Sequence, residues 1–124
     1  MRYFWAALSV TCCLAAAPAM GGDCPASGPE ERIAAVAKAG TCQEAVDLCR
    51  RCSIGGMLDV SLASSVNDVC EKTALSKLTK EEREAYKAAT DACYASHSKK
   101  RGTLHRSAPA HCWVDVMADY ASHH

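Results

Sequence analysis

The chain has 124 residues, with 14 basic and 14 acidic side chains and a formal charge of zero. That balance excludes the strong basic excess expected of a nucleic-acid binder, and the length allows a single domain. Aromatic residues make up only 6% of the chain while cysteines number nine, so a thin core reinforced by sulfur is the first expectation.

Met1-Arg2 gives a short positive start, and Tyr3 to Ala17 is uncharged and mostly apolar. Ala17-Pro18-Ala19 then places small residues where a signal peptidase reads them. The apolar run is shorter than the roughly 20 residues a bilayer span requires. Residues 1–19 therefore read as a signal peptide that takes Cys12 and Cys13 away with it. The rest reads as a flexible segment at 20–28 and one helical domain at 29–122, periplasmic or secreted. Thirteen basic and fourteen acidic residues remain after cleavage.

Seven cysteines persist: Cys24, Cys42, Cys49, Cys52, Cys70, Cys93 and Cys112. A small exported chain uses such residues as staples. The abundant alanines bury little area each, at about 25 cal/mol per Å². Bridges worth about 2–4 kcal/mol apiece offset that deficit by restricting the unfolded chain.

Helix signals follow one another. Ser27-Gly28-Pro29-Glu30-Glu31 opens the first helix, with proline at the first helical position and two acids at the positive end of the dipole. Ile33, Val36 and Ala37 share its face, and Gly40 ends it. Thr41-Cys42-Gln43-Glu44 is a capping box, and helix two runs to about Cys52 before Ser53-Ile54-Gly55-Gly56 breaks it. Met57 to Lys77 carries Leu58, Leu62, Val66, Val69, Cys70, Thr73 and Ala74 at helical spacing, with Ser64-Ser65 a candidate interruption. Thr79 and Glu82 form a second capping box, opening a helix on which Tyr86, Ala89, Cys93 and His97 recur at three and four residues. Ser107-Ala108-Pro109 starts the last helix, with Cys112, Trp113, Val116, Met117 and Tyr120 on one stripe and Asp115 and Asp119 facing away. No segment alternates as a strand does. The fold class is all-α: a bundle of four to five helices stapled by disulfides.

Cys49-Arg50-Arg51-Cys52 has CxxC spacing. A redox pair would need an activated thiolate, which the two arginines favour and the C-terminal end of a helix opposes. Haem attachment fails because Ser53 stands where a histidine is needed. The structural reading makes Cys42, Cys49, Cys52, Cys70, Cys93 and Cys112 the disulfide candidates. Cys93 and Cys112 form the one specific pair, being on the inner stripes of consecutive helices. Cys24, in a Gly-, Ser- and Pro-containing stretch, is the candidate free or intermolecular thiol, which allows a disulfide-linked dimer. His111-Cys112 does not have the spacing of a zinc pair, and no cofactor or metal is expected. Lys99, Lys100, Arg101, His105 and Arg106 form a basic stretch that reads as a contact patch or a solvated helix end. His97, on the Cys93 face, reads as a satisfied interior or boundary histidine rather than a general base.

The run from Val66 to Leu75, then Cys93, Gly102-Thr103 and Arg106-Ser107 to Cys112, resembles a group of small secreted bacterial proteins. More distantly, Leu78 to Cys93 is similar to the LprI-like lysozyme-inhibitor family. Arg83 and Cys93 match that family's helix, while Glu82 stands for its Gln and Ala85 for its Trp. The resemblance implies an exported, helical, non-enzymatic protein that binds another macromolecule, such as an envelope-directed hydrolase. A thiol-disulfide protein using Cys49 and Cys52 is the runner-up, and a carrier of small apolar ligands is third. Mass spectrometry of exported protein is expected to find an N-terminus close to Met20, and intact Met1 outside the cytoplasm would contradict the signal-peptide reading.

Overall fold

A computed structural model describes residues 23–97 and 103–123, with only the backbone of 97 and 103–106. Its elements are α1 (Pro29–Ala37), α2 (Cys42–Cys52), α3 (Gly56–Lys72), a 3-10 turn (Leu75–Lys77), α4 (Lys80–His97) and α5 (Thr103–Ser122). Among the described residues there is no strand. The all-α class follows directly.

Local chemistry sets the helix starts. Gly28 caps α1 with Pro29 first in the helix. Thr41 accepts a hydrogen bond from the Glu44 amide at 3.1 Å, and the Glu44 carboxylate reaches back to the Gly40 amide, one residue before the usual target. Thr79 and Glu82 exchange both bonds, at 3.2 and 3.3 Å. Each cap satisfies orphan donors that the first helical turn leaves open.

α3 is the central helix, packed against α1, α2 and α5, while α4 lies outside and packs mainly on α5. The core runs from Val36 through Ala45, Val46 and Leu48 to Leu62, Val66 and Leu75, and closes on Val114 and Met117. Polar ties connect the layers. Arg32 donates to the Cys52 carbonyl at 2.8 Å, and Arg50 meets Asp115 at 2.8 Å. Arg83 grips both oxygens of Glu71 and the Leu75 carbonyl, fixing α4 to the end of α3.

Three details differ from the sequence reading. α3 runs through Ser64-Ser65 without a break but stops at Lys72, where Thr73 turns out of the helix and its hydroxyl bonds to the Val69 carbonyl. That local bond competes with continued helix. α5 begins at Thr103 and carries Pro109 inside it. Proline there forfeits one backbone bond, and packing against α3 and α4 holds the helix through it. Because α5 is covered from two sides, Ala110 and Val114 are buried alongside Met117, whereas Cys112, Trp113, Val116 and Tyr120 are only half-buried.

Three bridges staple this frame: Cys24–Cys52, Cys42–Cys70 and Cys93–Cys112. The first ties the segment before α1 to the end of α2, the second joins α2 to α3, and the third joins α4 to α5. Replacing Cys42 and Cys70 together by serine is expected to cost about 3–4 kcal/mol, the chain-entropy value for closing a loop of this length. A denaturant titration unchanged from the parent would show that the α2–α3 staple contributes nothing.

Candidate functional site

The sequence reading of Cys24 is corrected. It is half-buried and bonded to Cys52, so it is neither a free thiol nor the link of a dimer. The segment carrying it is tied down as well, since the Asp23 carbonyl faces Arg51 at 3.4 Å and Ser27 bonds to Glu31. Among the described residues the free thiol is Cys49, and it is buried. Cys49 was expected among the bridged residues. Spacing could not reveal which of the two CxxC cysteines the N-terminal segment would reach.

The redox reading therefore lacks its dithiol. Burial pushes the Cys49 thiol up to about 11, outweighing the Ser53 hydroxyl beside it and the Arg50 charge, with Asp59 adding to the rise. The arginines were expected to lower it. Arg50 does pull in that direction, but desolvation wins. Arg50 and Arg51 are meanwhile engaged by Asp115 and Asp47.

Beside this thiol lies a feature that sequence reasoning missed. Asp59, in the first turn of α3, is only 2% exposed. Its Oδ1 accepts hydrogen bonds from the amides of Ile54 and Gly55, both at 3.0 Å. Its Oδ2 lies 2.8 Å from His111 Nε2 on α5. The one available signal was an acid three residues past a Ser-Ile-Gly-Gly break, where a carboxylate can fold back onto the turn. Cys49 and this pair do not form a nucleophile–base arrangement. The imidazole nitrogen serves the carboxylate, and the sulfur contacts the Ser53 hydroxyl at 4.0 Å.

A second cluster occupies the α4–α5 seam. All four aromatic side chains of the described residues meet there. Tyr86 and Tyr120 pack edge to face at 5.4 Å, and the indole N–H of Trp113 donates to the Tyr86 hydroxyl at 2.9 Å. Tyr94, 45% exposed, tilts against Trp113 at 6.4 Å. Tyr94 and Trp113 directly follow the bridged Cys93 and Cys112, so the staple sets their separation. Beside Tyr86 and Trp113 opens a cleft of about 280 Å³, lined also by Asn67, Arg83, Lys87, Thr90 and Asp91. Arg83 is held by Glu71 and Lys87 by Asp91, which leaves the lining close to neutral.

The side chains of the basic stretch fall outside the described residues. Lys99, Lys100 and Arg101 lie outside the described residues, and His105 and Arg106 are described only as backbone of α5. The His97 side chain and His124 are likewise outside the description, as is the whole of the expected signal peptide. His123 Nδ1 bonds to the Asp119 carbonyl at 2.7 Å. Among the described residues, no group of three His, Cys, Asp or Glu is placed to hold a metal. No helix among them is long and apolar enough to cross a membrane. No family model, curated protein or solved structure matches this chain.

Cys49 generates a pH prediction. Its folded value lies above the ordinary thiol value of 9.0, so the native state keeps a proton that the unfolded chain loses first. This contribution is complete below about pH 9 and is lost as the pH rises toward 11. Parent stability is expected to fall by about 2–3 kcal/mol more than that of Cys49→Ala across this window. Parallel curves for the two proteins would contradict the burial argument.

Proposed function

We propose that the protein acts outside the cytoplasm as a disulfide-stapled contact protein, binding another macromolecule through the aromatic seam of α4 and α5. The partner class we favour is an envelope-directed hydrolase such as lysozyme. The observation that carries this reading is the gathering of Tyr86, Tyr94, Trp113 and Tyr120 on one seam, beside the Cys93–Cys112 bridge. Trp, Tyr and Arg are the residues in which interface energy concentrates. An aromatic surface fixed by a covalent staple also loses little conformational freedom on binding. Three intramolecular bridges suit an oxidising compartment.

A carrier of small apolar ligands draws support from the same cleft. Ligand pockets typically enclose about 300–1,000 Å³ and bury most of their occupant. The cleft here is open to solvent and carries Arg83, Lys87 and Asp91 in its lining, which fits a protein contact better.

Lysozyme titrated with the processed chain, followed by binding and by lytic rate, tests the reading. Trp113→Ala and Tyr94→Ala are each expected to weaken association by about 10-fold or more. Tyr94 is the cleaner variant because it is the more exposed and leaves the Trp113–Tyr86 hydrogen bond in place. Equal affinity of both variants and the parent would remove the seam as the contact surface. Absence of any binding would remove lysozyme as the partner.

A further inference from the structure

The cleft beside the aromatic seam has two unlike sides. Five of its lining residues come from α4. Arg83, Lys87 and Asp91 follow one another at four-residue intervals, as do Tyr86 and Thr90, so all five fall on one side of the helix. Asn67 of α3 and Trp113 of α5 complete the lining. The aromatic part is fixed, because the indole N–H of Trp113 donates to the Tyr86 hydroxyl at 2.9 Å and the neighbouring Cys112 is bridged to α4. The polar part is fixed as well, but it is not used up. Arg83 spends three hydrogen bonds on Glu71 and the Leu75 carbonyl, and a guanidinium has donors beyond these. Lys87 reaches one oxygen of Asp91 at 2.8 Å. Asn67 is half-buried, and its side-chain amide has no hydrogen-bond partner among the described residues.

These groups narrow the chemistry of an occupant. An anion would seek a free cation, but Arg83 and Lys87 are each matched by a carboxylate. A cation meets the same balance from the other side. A wholly apolar ligand would cover the Asn67 amide without giving it a partner, a cost that a hydrogen-bonding ligand avoids. What fits is a neutral molecule with an apolar face and a rim of groups that both donate and accept. A sugar ring has that form: its C–H groups pack on aromatic rings, and its hydroxyls pair with amide, carboxylate and guanidinium groups. At about 280 Å³ the cleft is of a size for one ring, and its open mouth lets a chain continue outside. We infer that this cleft binds one ring of a neutral saccharide, with Trp113 packing on the ring's C–H face and Asn67 and Asp91 bonding to its hydroxyls. A lining held in place in advance reduces the ordering cost of such binding. The inference stands apart from the contact-protein reading, which places a protein on the seam, where the exposed Tyr94 does not line the cleft.

Trp113 is the one tryptophan downstream of Trp5, so in the processed chain a single indole resonance in a proton–nitrogen spectrum reports the cleft. The processed chain is titrated with cellotriose, with tri-N-acetylchitotriose and, as an apolar comparison, with indole. The expected result is a saturable shift of the Trp113 indole and Asn67 side-chain amide resonances with at least one trisaccharide, and none with indole. Asn67→Ala breaks no hydrogen bond among the described residues and is expected to melt with the parent. It should bind that trisaccharide about 5-fold more weakly, the effect of one lost hydrogen bond. Absence of any shift with either trisaccharide up to its solubility would overturn the inference. Equal affinity in the parent and in Asn67→Ala would overturn the cleft as the site. Saturation by indole with no response to the sugars would overturn the saccharide assignment in favour of an apolar ligand. Lysozyme association is read separately. A chain that binds lysozyme and no sugar loses only this inference, and one that binds sugar and no lysozyme loses only lysozyme as the partner.

Discussion

The buried carboxylate of Asp59 is the interaction on which the arrangement around it depends. It joins a turn, the start of α3 and the middle of α5 through two amides and one imidazole. Removing the carboxylate would leave those buried-side donors without partners, at about 1–3 kcal/mol each where water cannot replace it. The α2–α3 turn keeps its shape because one anion at the first turn of α3 answers its amides, and that end of the helix favours negative charge.

The bridges act on a different scale. Hydrogen bonds around Asp59 fix a few residues, whereas Cys24–Cys52, Cys42–Cys70 and Cys93–Cys112 fix which elements are neighbours. Alanines at Ala45, Ala63 and Ala110 are almost wholly buried and contribute modest apolar area. The staples lower the entropy of the unfolded chain and so let a core of small side chains suffice. Among the described cysteines Cys49 is the one left unbridged, and its place in the interior makes it a small apolar group in effect.

Local signals in the sequence were largely decisive for local structure. Pro29, the Thr41/Glu44 and Thr79/Glu82 boxes and the Ser53-Ile54-Gly55-Gly56 break mark boundaries through chemistry that acts within four residues. Cys93 and Cys112 are paired by adjacency, because consecutive helices with a short connection are neighbours. What stayed hidden was tertiary. The choice of Cys52 over Cys49 as partner of Cys24 depends on where the N-terminal segment crosses α2. The burial of Val114 depends on α5 being covered from two sides, and the continuation of α5 through Pro109 on packing that overrides a local break. The Asp59–His111 contact links residues 52 positions apart, beyond any periodicity. The aromatic seam was half legible, since each aromatic lay on an identified helix while their convergence needed the helix order.

Amide hydrogen exchange at Ile54 and Gly55 tests the central role of Asp59 most directly. Both amides sit on an exposed turn and owe their protection to one side-chain oxygen rather than to a backbone ladder. The account predicts slow exchange of these two amides in the parent protein. In Asp59→Ala it predicts near-intrinsic rates at both, while core amides of α3 such as Val66 remain protected. Fast exchange at Ile54 and Gly55 in the parent, or protection unchanged in Asp59→Ala, would contradict the claim that the carboxylate holds the turn.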